Sequence, residues 1–216
     1  MYKTYAVFGL GRYGTSVAET LTENGIEVLA VDSNIDIVND VSERVPLCKC
    51  ADITDMAVLK DLGIEEVDVV IISMASNLES SILATTLCKE LGVRKIIVKC
   101  SNEIHKKILL RVGADEVVIP EKESGVRIAK SLIHSNYVDL VEVSKDVSIV
   151  ELEVREDWIE KTVQELNLRK KYGINIIAIK SDNKVYTHIN PEFALKANMK
   201  LVVVIKLSQL KKLMLK

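Results

Sequence analysis

Through the first 120 residues, short apolar runs alternate with amphipathic stretches of helical length, and this alternation constrains the fold more than any other feature. The runs are rich in valine and isoleucine and too short for helices, which is typical of parallel strands buried on both faces. They occupy residues 5–8, 27–31, 67–73, 95–99 and 116–119, with a weaker run at 46–49. Repeated strand–helix–strand units require right-handed crossovers. The sequence therefore predicts an α/β fold with a Rossmann-like, doubly wound parallel sheet.

The stretches between these runs have the length and ending of helices. They cover residues 14–24, 35–43, 56–62, 78–91 and 103–112. A glycine closes four of them, since glycine readily adopts the left-handed conformation that ends a helix. These glycines are Gly25, Gly63, Gly92 and Gly113.

After Pro120 the pattern changes from alternation to a second, smaller α+β region. One amphipathic helix is predicted at 122–135, with Val126, Ala129 and Ile133 along one row. Strands follow at 138–143 and 149–154, then a helical turn at 162–166, a hairpin joining 175–180 to 184–187, a strand at 200–205 and a helix at 208–214. We expect a nucleotide-binding domain at 1–121, a linker helix at 122–137 and a C-terminal domain at 138–216.

Composition excludes several classes of function. The formal net charge of −2 provides no basic field for nucleic acid. No apolar run approaches the roughly 20 residues of a membrane span, which predicts a soluble intracellular protein. Cys48, Cys50, Cys88 and Cys100 show no C-x-x-C spacing, so reduced cysteines are expected rather than a zinc site.

A glycine motif directly follows the first strand and opens the first helix. Gly9-Leu10-Gly11-Arg12-Tyr13-Gly14 matches G-x-G-x-x-G. The first glycine allows the turn, the second lets a diphosphate approach the backbone, and the third lets the helix pack on the strand. Asp32 ends the second strand, where a carboxylate binds ribose hydroxyls. The motif predicts a nucleotide site at this helix start.

Two side chains in this region bear on which nucleotide binds. Asp32 would repel a 2′-phosphate, which disfavours NADP. Arg12 lies inside the phosphate turn, where a guanidinium can bind a terminal phosphate, so ATP or ADP is favoured over NAD or NADH. The alternative for Arg12 is a solvated residue at a helix start.

The sequence lacks the groups that catalysis would need. No His, Tyr–Lys or Lys constellation accompanies the nucleotide motif, and no Walker A lysine follows it. Binding without turnover is therefore expected, and the protein is not predicted to be an enzyme. An NAD-dependent oxidoreductase stays open as the alternative. A redox-sensing repressor would need a DNA-reading module, and none is seen.

The chain resembles the RCK-type regulatory subunits of bacterial potassium uptake systems, the KtrA/TrkA family. Its length is similar to the KtrA type, with a single pair of N-terminal and C-terminal RCK domains. The departures are Tyr13, where Phe is common, and Ser73-Met74-Ala75-Ser76-Asn77 after the fourth strand. The resemblance is carried by residues 6–14, 28–32, 51–54, 113–115, 120–122 and 168–173.

The resemblance implies a homo-oligomer, a dimer assembled into an octameric ring, beneath a membrane-embedded potassium translocating subunit. The protein would be cytoplasmic and peripheral to the inner face of the membrane. ATP/ADP exchange would change the ring's conformation and gate transport. The apolar row of helix 122–135 has no evident partner in a completed sheet, which predicts a dimer through this helix.

The resemblance also implies residue roles. Glu121 would help to hold a divalent cation, Mg²⁺ or Ca²⁺, although it could simply be an acid at a helix start. Lys99 would offer a cation to phosphate, unless it is a surface lysine. The implied nucleotide-binding residues are Gly9, Leu10, Gly11, Arg12, Tyr13, Gly14, Asp32, Ser33, Asp52, Ile53, Ala75, Asn77 and Lys99. For the KtrA type it further implies a cyclic di-AMP site at Val163, Arg169, Ile174, Asn175 and Pro191, although Arg169 could form a structural ion pair and the apolar residues could be core.

Overall fold

The computed structural model describes residues 3–74, 77–133, 137–182 and 184–214. Contacts divide the chain into two compact units, Met1–Lys122 and Glu123–Lys216, which are described separately. In the part of the chain that the structure describes, no helix has both the length and the apolar character needed to span a membrane.

The first unit is built on a parallel sheet. Its strands are β1 (Tyr5–Phe8), β2 (Val28–Asp32), β3 (Cys48–Cys50), β4 (Val69–Ile72), β5 (Lys95–Lys99) and β6 (Glu116–Val118). They lie in the order β3-β2-β1-β4-β5-β6. Tyr5 of β1 pairs with Val28 on one side and with Val69 on the other. The strand order reverses at β1 and β4, and a crevice for ligands opens at such a switch point.

Helices cover both faces of this sheet, and its central strands β1 and β4 are accordingly apolar along their whole length. The helices are α1 (Arg12–Glu23), α2 (Ile35–Ser42), α3 (Met56–Asp61), α4 (Leu78–Glu90) and α5 (Glu103–Val112). Ala6 and Phe8 of β1 belong to one apolar cluster, and Val7 belongs to a second. Successive side chains of a strand point to opposite faces, so β1 contributes to both clusters.

The predicted doubly wound parallel sheet and the smaller second domain are confirmed. Most element ends differ from the prediction by only one or two residues. The strand predicted at 67–73 covers Val69–Ile72, and the weak run at 46–49 is the strand Cys48–Cys50. The helix predicted from residue 14 begins at Arg12, so Gly14 lies inside its first turn. The glycine motif was interpreted as a turn up to its last glycine, and the predicted start was therefore two residues late.

Side-chain caps begin four of the five helices that cover this sheet. Asn34, Asp55, Asn77 and Asn102 each accept hydrogen bonds from backbone N–H groups at the starts of α2, α3, α4 and α5. Helix α1 instead follows Gly11, makes no side-chain cap and has no acidic residue in its first turn. Its first N–H groups are therefore left for solvent or an anion.

The second unit contains an antiparallel sheet. Its strands are β7 (Tyr137–Ser144), β8 (Val147–Glu153), β9 (Asn175–Ser181), β10 (Lys184–Tyr186) and β11 (Met199–Lys206), in the order β10-β9-β11-β8-β7. The remaining α-helices among the described residues are α6 (Pro120–Ile133), which starts in the first unit, α7 (Val163–Leu166), α8 (Leu168–Tyr172) and α9 (Leu207–Met214). Short 3₁₀ helices lie at Ile64–Glu66 and Glu156–Trp158. The hairpin and the strand and helix positions predicted here are present with shifts of one or two residues.

The core of the second unit surrounds Trp158, the one tryptophan of the chain. Its ring lies 6.0 Å from that of Tyr172, the last residue of α8. The sequence did not predict α8, because five residues are too few to show a helical period. Asn167 separates α7 from α8 by adopting the left-handed conformation, with φ 46°.

The apolar residues of α6 are exposed to solvent in the single chain. Val126, Ile128 and Leu132 keep 47%, 55% and 77% of their surface. The helix begins at Pro120, two residues before its predicted start. Large apolar side chains exposed together on one helix mark a surface suited to association.

Candidate functional site

The glycine loop connects β1 to α1 in three residues. Gly9 adopts a φ of +84°, a conformation that L side chains rarely take, and its N–H donates to the Val31 carbonyl at 2.8 Å. A Cβ atom on Gly9 would also lie 2.8 Å from Cγ of Met74. The turn therefore requires glycine at this position.

The other two glycines of the motif differ in the space around them. A Cβ atom on Gly14 would lie 1.9 Å from the Gly9 carbonyl oxygen, so this position tolerates no side chain. A Cβ atom on Gly11 would meet nothing within 4 Å. Gly14 therefore serves the packing of α1 on the loop, whereas the space beside Gly11 is open for a ligand to approach the backbone.

Asp32 supports the loop from the end of β2. One carboxylate oxygen accepts from the Leu10 N–H at 2.7 Å, and the other accepts from the Asn34 N–H at 2.9 Å. Sequence reasoning assigned Asp32 only to ribose and missed this role. A carboxylate oxygen can accept more than one hydrogen bond, so the ribose contact stays compatible with the geometry.

Ser33 and Asp52 lie at the ends of the neighbouring strands β2 and β3. Ser33 is exposed, and its carbonyl accepts from the Cys50 thiol at 3.5 Å. Asp52 accepts from the hydroxyl and the N–H of Thr54, at 2.6 Å and 2.9 Å, which lowers the pKa of its carboxyl. Ile53 is buried in the core, so its side chain does not line an open surface.

Lys99 and Glu121 form an ion pair beside the loop. The Lys99 Nζ lies 2.8 Å from Glu121 Oε1 and 5.7 Å from the centre of the Tyr13 ring. Only 16% of the Lys99 side chain is exposed, so it is not a surface lysine. Its hydrogen bond to Glu121 lowers the pKa of that carboxyl. The pair joins the glycine loop to the first turn of α6.

The structure gives no complete metal site for Glu121. Among the described residues, no group of three or more His, Cys, Asp or Glu side chains could hold a metal ion. A single carboxylate paired with a lysine cannot supply the six to eight oxygens of a Ca²⁺ site or the octahedral shell of Mg²⁺. Further ligands would have to come from a bound phosphate or a second copy of the chain.

The remaining predicted residues follow β4. Asn77 caps α4 by accepting from the Ser80 N–H at 3.0 Å, and Ala75 lies outside the described residues. Ser73 was not predicted as a site residue, yet its hydroxyl donates to the Gly9 carbonyl at 2.8 Å. The sequence signal for Ser73 is a small polar residue at the end of the strand that lies beside β1.

A cleft in the second unit brings together the other predicted set. Its volume is about 450 Å³. The Arg169 side chain is exposed and makes no hydrogen bond or ion pair among the residues described, so no ion pair of the expected structural kind forms there. Ile174 is also part of the core, with 1% of its surface exposed. Around the cleft lie Val163, Gln164, Asn167, Leu168, Arg169, Ile174, Asn175, Ile176, Ile189 and Pro191.

Comparisons with known proteins match both units. The model of the TrkA-N domain matches residues 5–120, and that of the TrkA-C domain matches residues 147–215. Ktr system potassium uptake protein C of Bacillus subtilis (strain 168) is 42% identical over 185 residues, covering 86% of this chain and 84% of that protein. Ktr system potassium uptake protein A of the same organism is 40% identical over 190 residues, covering 88% and 86%.

A solved structure shows the same fold. The GsuK RCK domain superposes with a TM-score of 0.65 at 20% identity, over 99% of this chain and 47% of that one. The chain thus spans about half the length of that structure.

The open space at Gly11 and the close contact at Gly14 predict opposite results for two alanine substitutions. Gly14→Ala should lower the free energy of unfolding by at least about 2 kcal/mol, because the added methyl overlaps the Gly9 carbonyl. Gly11→Ala should cost less than about 1 kcal/mol, since Gly11 is an exposed helix cap. Urea unfolding of both variants measures this, and equal destabilisation would contradict the prediction.

Proposed function

Because this chain belongs to the family that joins a TrkA-N domain to a TrkA-C domain, we propose that it is the regulatory subunit of a potassium uptake system. It acts at the cytoplasmic face of a membrane-embedded potassium translocating subunit and binds an adenine nucleotide at its glycine loop. The observation that carries the nucleotide proposal is the start of α1. Alone among the five helices on the sheet, α1 starts with no side-chain cap, and the loop before it leaves open space at Gly11.

An anion at this position completes the hydrogen bonding of the helix start. The first N–H groups of a helix and its positive dipole end attract phosphate. The chain places acids in the first turns of three other helices and at the N-cap of α3, whereas α1 has none at either position. These acids are Asp36 in α2, Glu79 in α4, Glu103 in α5 and the capping Asp55 of α3. A ligand phosphate would supply the negative charge that the sequence withholds here.

The side chains around the loop support binding rather than turnover. Asp32 is held by two backbone N–H groups, Asn77 caps a helix, and Lys99 is paired with Glu121. Each of these groups already has a structural partner, and none of them is positioned as an acid–base pair. A sensor binds its ligand without converting it, and its affinity for the ligand differs between two conformations of the protein.

Arg12 and Asp32 favour ATP or ADP as the nucleotide. The Arg12 side chain is exposed and makes no hydrogen bond or ion pair among the described residues, so its guanidinium is available to a terminal phosphate. Asp32 places a carboxylate at the end of β2, which disfavours a 2′-phosphate. The exchange of ATP for ADP would then change the conformation of the assembly and gate transport.

The assembly is proposed to form through α6. Its exposed apolar side chains give a surface that water disfavours, and a second copy of the same helix would cover it symmetrically. Such dimers would build the ring beneath the translocating subunit. A divalent cation would find Glu121 ionised at the start of this helix, with its remaining ligands from the nucleotide or the second copy.

The cleft of the second unit is proposed to bind cyclic di-AMP. Arg169 offers an unpaired guanidinium to a phosphodiester, and Val163 and Pro191 offer apolar surface to an adenine ring. A two-fold dimer would present two arginines to a two-fold symmetric ligand. The second copy of the chain would supply the other half of the site.

We predict that ATP and ADP bind more tightly than NADH and NADPH. Arg12→Ala should lower the affinity for ATP about tenfold, equivalent to about 1.4 kcal/mol, because it removes a charge-assisted hydrogen bond to phosphate. Arg111→Ala, which removes the same charge from the end of α5, should leave the affinity unchanged. Isothermal titration with the four nucleotides measures this. Tightest binding by NADPH would refute the interpretation of Asp32, and tightest binding by NADH would favour the oxidoreductase alternative.

The proposed dimer predicts that charge on α6 separates the subunits. Ile128 and Leu132 are four residues apart and lie on one row of the helix. Ile128→Asp combined with Leu132→Asp should convert the assembly to smaller species, since buried unpaired carboxylates are costly. Glu123→Asp is the matched control on the same helix. Light scattering at micromolar concentration decides, and a wild-type monomer would contradict the proposal.

At the cleft of the second unit, we expect Arg169→Ala to lower the affinity for cyclic di-AMP at least tenfold. The neighbouring Lys170 does not line the cleft, so Lys170→Ala removes an equal charge without loss of affinity. Titration of purified protein with cyclic di-AMP provides the comparison. Equal binding by wild type and Arg169→Ala, or no binding at tens of micromolar, would remove this site and leave the proposal for the glycine loop standing.

A further inference from the structure

Ser73 contacts the glycine loop from the neighbouring strand. It follows the last residue of β4, its N–H donates to the Phe8 carbonyl at 2.7 Å, and its hydroxyl donates to the Gly9 carbonyl at 2.8 Å. Ser73 is half-buried. It belongs to the segment in which this chain departs from the pattern of the family it resembles.

The hydroxyl fixes the direction of one peptide group. The Gly9 carbonyl oxygen and Ser73 Oγ both lie against Gly14 in the first turn of α1, since a Cβ atom there would be 1.9 Å from the oxygen and 2.7 Å from Oγ. A carbonyl oxygen carries partial negative charge and would repel a phosphate if it turned toward one. Its bond to Ser73 holds it on the side of the helix, away from the open space beside Gly11.

The loop is thus held from both sides. Asp32 accepts from the Leu10 N–H at the end of β2, and Ser73 donates to the Gly9 carbonyl at the end of β4. One bond holds the N–H of Leu10 and the other holds the carbonyl of Gly9. Both polar groups of the peptide that joins these two residues are therefore fixed. Asp32 would also contact the ribose, whereas Ser73 acts on the loop alone.

We propose that Ser73 is a positioning residue for the phosphates of the ligand. Its hydroxyl holds the Gly9 peptide so that the N–H groups at the start of α1 face a diphosphate. The inference rests on the proposed nucleotide site. Ser73 contributes to the affinity for the phosphate portion of the ligand and does not contribute to the affinity for adenosine.

The test compares adenosine, ADP and ATP on wild type and Ser73→Ala, by competition against a fluorescent adenine nucleotide. We expect ADP and ATP to lose about fivefold to tenfold in affinity, as for one hydrogen bond, and adenosine to lose none. Ser73→Cys keeps a weaker donor and should give an intermediate loss. A structural defect alone would weaken all three ligands together.

The matched control removes an equivalent bond elsewhere. The Ser42 hydroxyl donates to the Asn39 carbonyl at 2.8 Å near the end of α2, so Ser42→Ala deletes the same kind of contact far along the chain from the loop. It should leave all three affinities unchanged. Equal ADP binding by Ser73→Ala, Ser73→Cys and wild type, or a parallel loss of adenosine, would overturn this inference alone. Absence of ADP and ATP binding to wild type would overturn the proposed function as well.

Discussion

The close approach of the Gly9 carbonyl to Gly14 is the contact on which the first unit depends. The chain leaves β1 and enters α1 within three residues, and the helix can then pack against the strand only if nothing projects from Gly14. Neighbouring strand ends stabilise the turn through Asp32 and Ser73. The backbone of the loop is therefore determined by β2 and β4 as much as by its own glycines.

Much of this arrangement could be predicted because it depends on local chemistry. A valine-rich strand, a glycine turn and a helix start follow one another along the chain, and each has a compositional signal. The doubly wound arrangement was predicted as well, because right-handed crossovers restrict the topologies, whereas the strand order came only from the structure. The support that Asp32 gives to the loop could not be predicted. The pattern identifies a carboxylate at a strand end, but it does not show which N–H group donates to that carboxylate.

The residues that sequence reasoning missed depend on contacts between distant parts of the chain. Ser73 and Gly9 are 64 residues apart. Lys99 and Glu121 were both predicted as site residues, but their ion pair was not, because they lie on different elements. The hydrophobic periodicity of a sequence does not show which distant side chains form a hydrogen bond or an ion pair. The short helix α8 was missed for a different reason, because its five residues are too few to show a helical period. The cleft residues were named by resemblance, and their proximity became visible only in three dimensions.

The packing of Trp158 against Tyr172 has an optical consequence. Trp158 is the one indole of the chain, and α8 joins Tyr172 at its end to Arg169 in its first turn. At about 1.5 Å of rise per residue, these two side chains start less than one helical turn apart along the axis. A movement of α8 would change the surroundings of the indole ring, and the emission of Trp158 is therefore expected to respond to it. The second unit carries its own fluorophore, one helix away from the cleft and buried from collisional quenchers.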